Sequence, residues 1–216
     1  MINIVIAFDN QNAVLGQYFE DCQNDIATLL DEQSHLIKSF SKVPSPQCNV
    51  AYIDITISSL NTNPFVFIAY THGVNDGLKC GGGSFVSTDN CQHFKNSLFY
   101  STACLIGKEL APELINKGCK AFIGFNEKTT VIFENPSYRQ IFMECDNFAL
   151  KMFLTSDSSI GKAFNSMKNH YTNKIDRAIE LGEDFVFTRF LRENRDALVC
   201  LGDKNLKKED LFVPSS

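Results

Sequence analysis

The sequence predicts an α/β fold: a mostly parallel central sheet with helices on both faces, completed by a helical C-terminal part. Three observations predict it. Short runs of apolar residues, rich in β-branched and aromatic types, recur at 2–8, 65–70, 97–101 and 120–125. Segments with helical spacing of apolar residues lie between several of these runs, and alternation of strand and helix is the pattern of parallel βαβ units. After Pro136 helical periodicity dominates. We read residues 1–216 as one domain, with a core sheet in 1–135 and a mainly helical completion in 136–216.

In chain order, INIVIAF (2–8) is continuously apolar, as a strand buried on both faces must be. From about Val14 to Leu36 apolar residues recur at helical spacing, through Leu15, Phe19, Ile26, Leu29 and Leu30. Pro44-Ser45-Pro46 is a break. Residues 49–60 alternate as a strand would, but a parallel sheet needs a crossover helix between Ser34 and Pro64, and a helix is the expectation there. FVFIAY (65–70) is a second buried strand running into Thr71-His72-Gly73. The stretch from Asn75-Asp76-Gly77 to Gly81-Gly82-Gly83, flanked by short strand-like pieces, reads as a hairpin. SLFYS (97–101) is a third strand, leading into Thr102-Ala103-Cys104. KELAPELINK (108–117) is a helix stopped by Gly118, and KAFIGF (120–125) is a fourth strand. Helices are expected over 137–155, 159–181 and 184–194, and ALVCL (197–201) is a last strand or a buried loop.

Composition excludes several functions. The formal net charge is −5 and the sequence isoelectric point about 5.4, which argues against a nucleic-acid binder acting through a basic face. The one basic run, Lys204 to Lys208, is followed at once by Glu209 and Asp210 and reads as a solvated surface. No run of eighteen apolar residues is present to span a membrane. Residues 2–8 meet Asp9 and Asn10 with no charged segment before them, so they read as a strand and not a secretory leader, and a cytoplasmic location is the expectation. The eight cysteines contain no CxxC pair, so neither a zinc site nor a thioredoxin-like site is signalled, and no metal or cofactor is expected. Most of them read as reduced, buried, small hydrophobes, with Cys80, Cys91, Cys119 and Cys145 structural. Nineteen phenylalanines and no tryptophan imply an aromatic core.

Two strands end in reactive side chains, one in His72-Gly73 and the other in Cys104. Active sites in open parallel sheets form outside the carboxyl ends of strands, so adjacent strands would place the two side by side. A free thiol is mostly protonated at neutral pH, and an imidazole beside it takes the proton and returns it to the leaving amine. Gly73, lacking a side chain, lets substrate approach its backbone; its N–H and that of Cys104 form a candidate oxyanion hole. Surface positions are expected for His35, His93 and His170. Glu109 and Glu113 read as a solvated helix face, and the glycine triplet lacks the Lys-Ser/Thr of a phosphate loop.

FVFIAYTHG (65–73) and SLFYSTAC (97–104) together resemble the caspase-like clan of cysteine peptidases, which includes caspases, gingipains, clostripain, separase and the bacterial CHAT proteases. The STAC ending is most similar to the CHAT and gingipain branches and departs from the Gln-Ala-Cys of caspases. ELAPELINKGCKAFIGF (109–125) is similar to their post-nucleophile helix, glycine turn and strand. LVCLGDKNL (198–206) is similar to their Leu-Gly-Asp-Pro-x-Leu segment, with Lys204 in place of Pro. The resemblance implies the caspase–haemoglobinase fold and peptide-bond hydrolysis by a His72–Cys104 dyad through a thioester, without a metal.

Where several clan members carry an Asp two residues before the nucleophile to select a basic P1 residue, this chain has the uncharged Thr102. Asp9, after the first strand, is a candidate for the S1 pocket, or else a turn or cap residue. The expected partners are a protein or peptide substrate and a regulatory or activating protein, with no nucleic acid and no membrane. By analogy with the family, the pathway is defence or regulated cell death through cleavage of a gasdermin-like protein. The competing expectation is a catalytically silent interaction module. A nucleotide-binding α/β protein would need a Gly-rich turn after the first strand, and FDNQN (8–12) has none.

Overall fold

The computed structural model describes residues 1–213. Its centre is a six-stranded sheet built from β1 (Ile2–Phe8), β2 (Ile37–Pro44), β3 (Phe65–Tyr70), β7 (Ser97–Ser101), β8 (Ala121–Phe125) and β9 (Leu198–Gly202), in the order β2-β1-β3-β7-β8-β9. All neighbouring pairs are parallel except β8–β9. Between β3 and β7 the chain forms a small antiparallel sheet of β4 (His72–Val74), β5 (Gly77–Cys80) and β6 (Gly83–Ser87).

The pleat of β1 shows why its run is apolar on both faces, with Asn3 the one polar residue. Ile4, Ile6 and Phe8 enter one hydrophobic cluster, while Val5 and Ala7 enter another on the opposite face. The first cluster lies under α1 (Gly16–Glu32), α4 (Pro136–Thr155), α5 (Ile160–Glu180) and α6 (Phe185–Ala197). The second lies under α2 (Val50–Ser58), α3 (Leu110–Asn116) and the small sheet. Its centre is aromatic: Phe67 packs on Phe94 and on Phe99, each at 4.9 Å between ring centroids, and Phe99 stacks on Phe122 at 5.8 Å. Edge-to-face and offset contacts of this kind suit the ring quadrupole.

Capping chemistry sets several boundaries. The Asn49 side chain accepts from the Tyr52 N–H at 3.0 Å and starts α2, so the crossover reading of 49–60 holds. Asn135 caps α4 with Pro136 in its first turn. Gly118 has φ +95° and ends α3, a conformation that costs Gly least. The run expected at 197–201 as a last strand or a buried loop is a strand, β9 (Leu198–Gly202), paired with β8.

Two elements differ from the sequence reading. Strand β2 was not anticipated: of IKSFSKVP only Val43 is buried, and Lys38 and Lys42 are exposed, as suits an edge strand that must resist further pairing. The glycine-rich region contains two hairpins, not one, turning at Asn75-Asp76 and at Gly81-Gly82, where both glycines have positive φ.

Because the chain goes from β1 outward to β2 and returns through α2 to β3, the sheet reverses its winding between β1 and β3. A crevice opens at such a switch point outside the carboxyl ends of the strands. Asp9 follows β1, His72 follows β3 and Cys104 follows β7, and these three strands are neighbours.

Candidate active site

Backbone bonding draws the Ser101–Cys104 run against β3. The Ala69 carbonyl accepts both from Ser101 Oγ at 2.9 Å and from the Thr102 N–H at 3.2 Å, and Ser101 Oγ in turn accepts from the Ala103 N–H at 3.1 Å. Cys104 then sits in a tight turn whose next residue, Leu105, has φ +66°. That is a left-handed conformation which a branched side chain adopts at a cost, and such residues gather at functional turns. Among the described residues the Cys104 N–H has no hydrogen-bond acceptor, leaving a donor beside the sulfur.

Gly73 packs directly on this turn. A Cβ there would stand 2.3 Å from the Cys104 carbonyl oxygen, 2.8 Å from Ile106 Cγ2 and 2.9 Å from the Ala103 Cβ. Only glycine fits, and the fit brings the His72-Gly73 and Ala103-Cys104 backbones into contact. The His72 side chain is exposed, and its ring meets Phe19 edge-on at 5.5 Å between centroids.

His72 and Cys104 line one small cavity of about 40 Å³, with Tyr18, Phe19, Thr71, Thr102, Thr129 and Asp146 among the other walls. Among the described residues the hydrogen-bond partners of the sulfur all belong to Thr129: its N–H donates to Sγ at 3.3 Å, its Oγ1 lies at 3.3 Å, and its carbonyl lies at 3.8 Å. Thr102 is 8% exposed, and among the described residues its hydroxyl has no partner. On the other side of His72 is a larger cleft of about 520 Å³, lined by Asp9, Ser45, Lys79, Cys80 and the Gly81-Gly82 turn. Asp9 is buried, and its Oδ1 accepts from Ser45 Oγ at 2.7 Å. Of the residues singled out from sequence, His72, Thr102 and Cys104 therefore share a cavity, Gly73 packs on Cys104, and Asp9 faces the neighbouring cleft.

Three residues of this region were not legible in sequence. Thr129 and Val131 come from the irregular segment after β8. Asp146 comes from α4 and is 3% exposed; its carboxylate accepts from Tyr18 Oη at 2.7 Å and from Tyr171 Oη at 2.6 Å. Burial pushes its carboxyl up to about 6, against the pull of the two tyrosine hydrogen bonds. Burial and the neighbouring Asp146 hold the Tyr18 and Tyr171 hydroxyls well above their ordinary range, so both stay protonated donors.

The other candidates lie elsewhere. His93 pairs with Asp54 at 3.8 Å on the α2 side, away from Cys104. His35 is exposed, as expected. His170, expected at the surface, is half-buried: its ring stacks on Phe148 at 4.3 Å, its buried Nε2 has no partner among the described residues, and burial lowers its imidazole below the ordinary range. Glu113 pairs with Lys117 at 3.3 Å on the flank of α3, and Glu109 is exposed. Cys80, Cys91, Cys119 and Cys145 are buried free thiols. Among the described residues no cluster of three or more His, Cys, Asp or Glu is arranged to hold a metal ion, and no helix is long and apolar enough to cross a membrane.

The topology just described is that of the gingipain and caspase-like cysteine peptidases. The chain superposes on the complex of the pro- and mature domains of RgpB from Porphyromonas gingivalis with a TM-score of 0.63 at 15% identity, covering 98% of this chain and 48% of that one. It superposes equally, at TM-score 0.63 and 16% identity, on the crystal structure of the Arg-specific cysteine proteinase gingipain R, covering 98% of this chain and 47% of that one. The chain thus spans about half the length of these solved structures. At these identities the likeness is one of fold. No protein-family model and no curated protein sequence matches the chain.

Proposed function

We propose that this protein is a cysteine endopeptidase that hydrolyses peptide bonds of one or a few protein substrates. The observation that carries the reading is the joint placement of His72 and Cys104 on one cavity at the ends of adjacent parallel strands, with Gly73 seated on the Cys104 backbone. His72 removes the Cys104 thiol proton, and the thiolate attacks the scissile carbonyl carbon. The Gly73 and Cys104 N–H groups hold the resulting oxyanion. Collapse of the tetrahedral species breaks the C–N bond, His72 protonates the leaving amine, and a thioester remains. Water activated by His72 then hydrolyses the thioester and restores the thiol. Asp9 and Thr102 are the proposed contacts for the substrate side chain, Asp9 from the larger cleft and Thr102 from beside the nucleophile.

The same reading places the protein nearest the CHAT and gingipain branches. It assigns it cytoplasmic, regulated cleavage of a partner such as a gasdermin-like protein in bacterial defence, under control of an activating protein. One observation favours the competing reading, a silent interaction module: the sulfur bonds Thr129 and not the imidazole.

The test compares the wild-type chain with Cys104→Ala on a peptide library and on reporters ending in Arg, Leu or Asp. The expected result is cleavage by the wild type alone. Cleavage that survives in Cys104→Ala refutes the nucleophile. Equal cleavage of the three reporters removes a P1 role for Asp9.

A further inference from the structure

The segment from Glu127 to Val131 lies where a substrate would have to be. A thioester-forming attack needs the scissile carbonyl carbon within about 3–3.5 Å of the sulfur. On one side of the sulfur Thr129 already fills that shell, since both its N–H and its hydroxyl are 3.3 Å from Cys104 Sγ. The cavity that His72 and Cys104 share is about 40 Å³, against about 520 Å³ for the neighbouring cleft that His72 also lines. A cavity of that size has room for a few waters and not for a peptide side chain.

The segment is fastened at both ends. At its start the Glu127 carbonyl accepts from the Leu105 N–H at 3.2 Å, tying it to the turn that carries the nucleophile. At its end the Asn194 side chain of α6 makes two bonds to one residue: its Oδ1 accepts from the Thr130 N–H at 3.0 Å, and its Nδ2 donates to the Thr130 carbonyl at 3.0 Å. Asn194 is 1% exposed, so its amide has no water to replace Thr130, and breaking the pair strands two buried polar groups. A helix residue buried in order to bond a loop backbone is a latch between α6 and that loop. The exposed Lys108–Glu127 ion pair at 3.1 Å adds little by comparison.

We propose that Glu127–Val131 is an autoinhibitory strap, with Thr129 seated on Cys104 in place of substrate and Asn194 as the latch that α6 uses to hold it. The proposal rests on the cysteine-peptidase reading and names the regulation of that site. Release requires the Asn194–Thr130 pair to open, so an activator works by displacing α6 or by capturing the segment itself.

The experiment measures the rate at which Cys104 is alkylated, located by peptide mass mapping, in the wild type, in Asn194→Ala and in Thr129→Gly. Iodoacetamide reports access of a small reagent. Peptidyl chloromethyl ketones ending in Arg, Leu or Asp report access of a substrate-like one. The expected result is labelling at least tenfold faster in both variants, with a larger gain for the peptidyl reagents. Slow amide hydrogen exchange at Thr129 and Thr130 is expected in the wild type and fast exchange in Asn194→Ala. Thr129 is half-exposed, so Thr129→Gly keeps the test intact where Asn194→Ala fails to fold. Equal labelling rates in wild type and Thr129→Gly overturn the strap. The two readings separate cleanly. Faster labelling with no peptide cleavage by any variant keeps the strap and removes the peptidase. Cleavage by a wild type that labels as fast as the variants keeps the peptidase and removes the strap.

Discussion

Gly73→Ala tests whether the backbones beside His72 and Cys104 must touch. The added Cβ would lie 2.3 Å from the Cys104 carbonyl oxygen, and ordinary contact begins at 3.4 Å, so the backbones must part by 3.4 − 2.3 = 1.1 Å. The obstacle is backbone oxygen, with the Ala103 Cβ and Ile106 Cγ2 close behind, so no flexible side chain can swing aside. Overpacking of this kind costs about 1–3 kcal/mol of stability. A misplacement near 1 Å between reacting groups lowers rate by roughly 10²-fold. The assay is kcat/KM on whichever peptide reporter the wild type cleaves, paired with urea unfolding. Gly83→Ala is the control, because its Cβ would meet nothing closer than the Cys80 carbonyl at 3.9 Å and its φ is unexceptional. A Gly73→Ala enzyme within threefold of wild type and equally stable would refute the claim that this contact sets the geometry.

The buried Asp146 makes stability pH-dependent. Its carboxyl lies at about 6 in the fold against an ordinary 3.8, so the fold prefers the protonated form. The associated stability is full below pH 4 and is lost as pH rises to 6; the gap of 6 − 3.8 = 2.2 pH units corresponds to about 3 kcal/mol. Urea unfolding of wild type and Asp146→Asn at pH 4 and pH 7 checks this, the expected outcome being that wild type loses about 3 kcal/mol more than the variant between the two. Parallel profiles would remove Asp146 as the source. Ser101→Ala deletes the hydroxyl that bridges the Ala69 carbonyl and the Ala103 N–H; the carbonyl keeps the Thr102 N–H, while the buried Ala103 N–H loses its acceptor. A loss of about 1–3 kcal/mol in the same unfolding assay is expected, with peptide cleavage reduced because Cys104 is held less firmly.

The elements that the sequence made legible are strands buried on both faces and helices whose apolar residues recur at helical spacing. β1, β3, β7 and β8 are buried at every position, so their runs are short and mainly apolar, broken only by the buried Asn3, Ser97 and Ser101. α4, α5 and α6 begin at Asn135, Ser159 and Asp184, each of which accepts from a backbone N–H of its helix. β2 escaped because an edge strand has few apolar contacts to write into its sequence: it pairs with β1 along its length through backbone groups that any residue supplies.

The site divides in the same way. His72, Gly73 and Cys104 stand at strand ends, where one residue of the right type after an apolar run carries a positional meaning. Thr129 and Asn194 carry none. Thr129 acts on Cys104 partly through its backbone N–H, and Asn194 bonds only the backbone groups of Thr130; the pair is 64 residues apart and joined only when the fold brings α6 beside the segment after β8. A reactive side chain advertises itself in sequence because its chemistry is rare. A restraint made of main-chain hydrogen bonds does not, because every residue offers the same donor and acceptor. Any control exerted on this nucleophile through the 127–131 segment is therefore written in geometry, and α6, which looks in sequence like a generic amphipathic helix, is the element through which it would act.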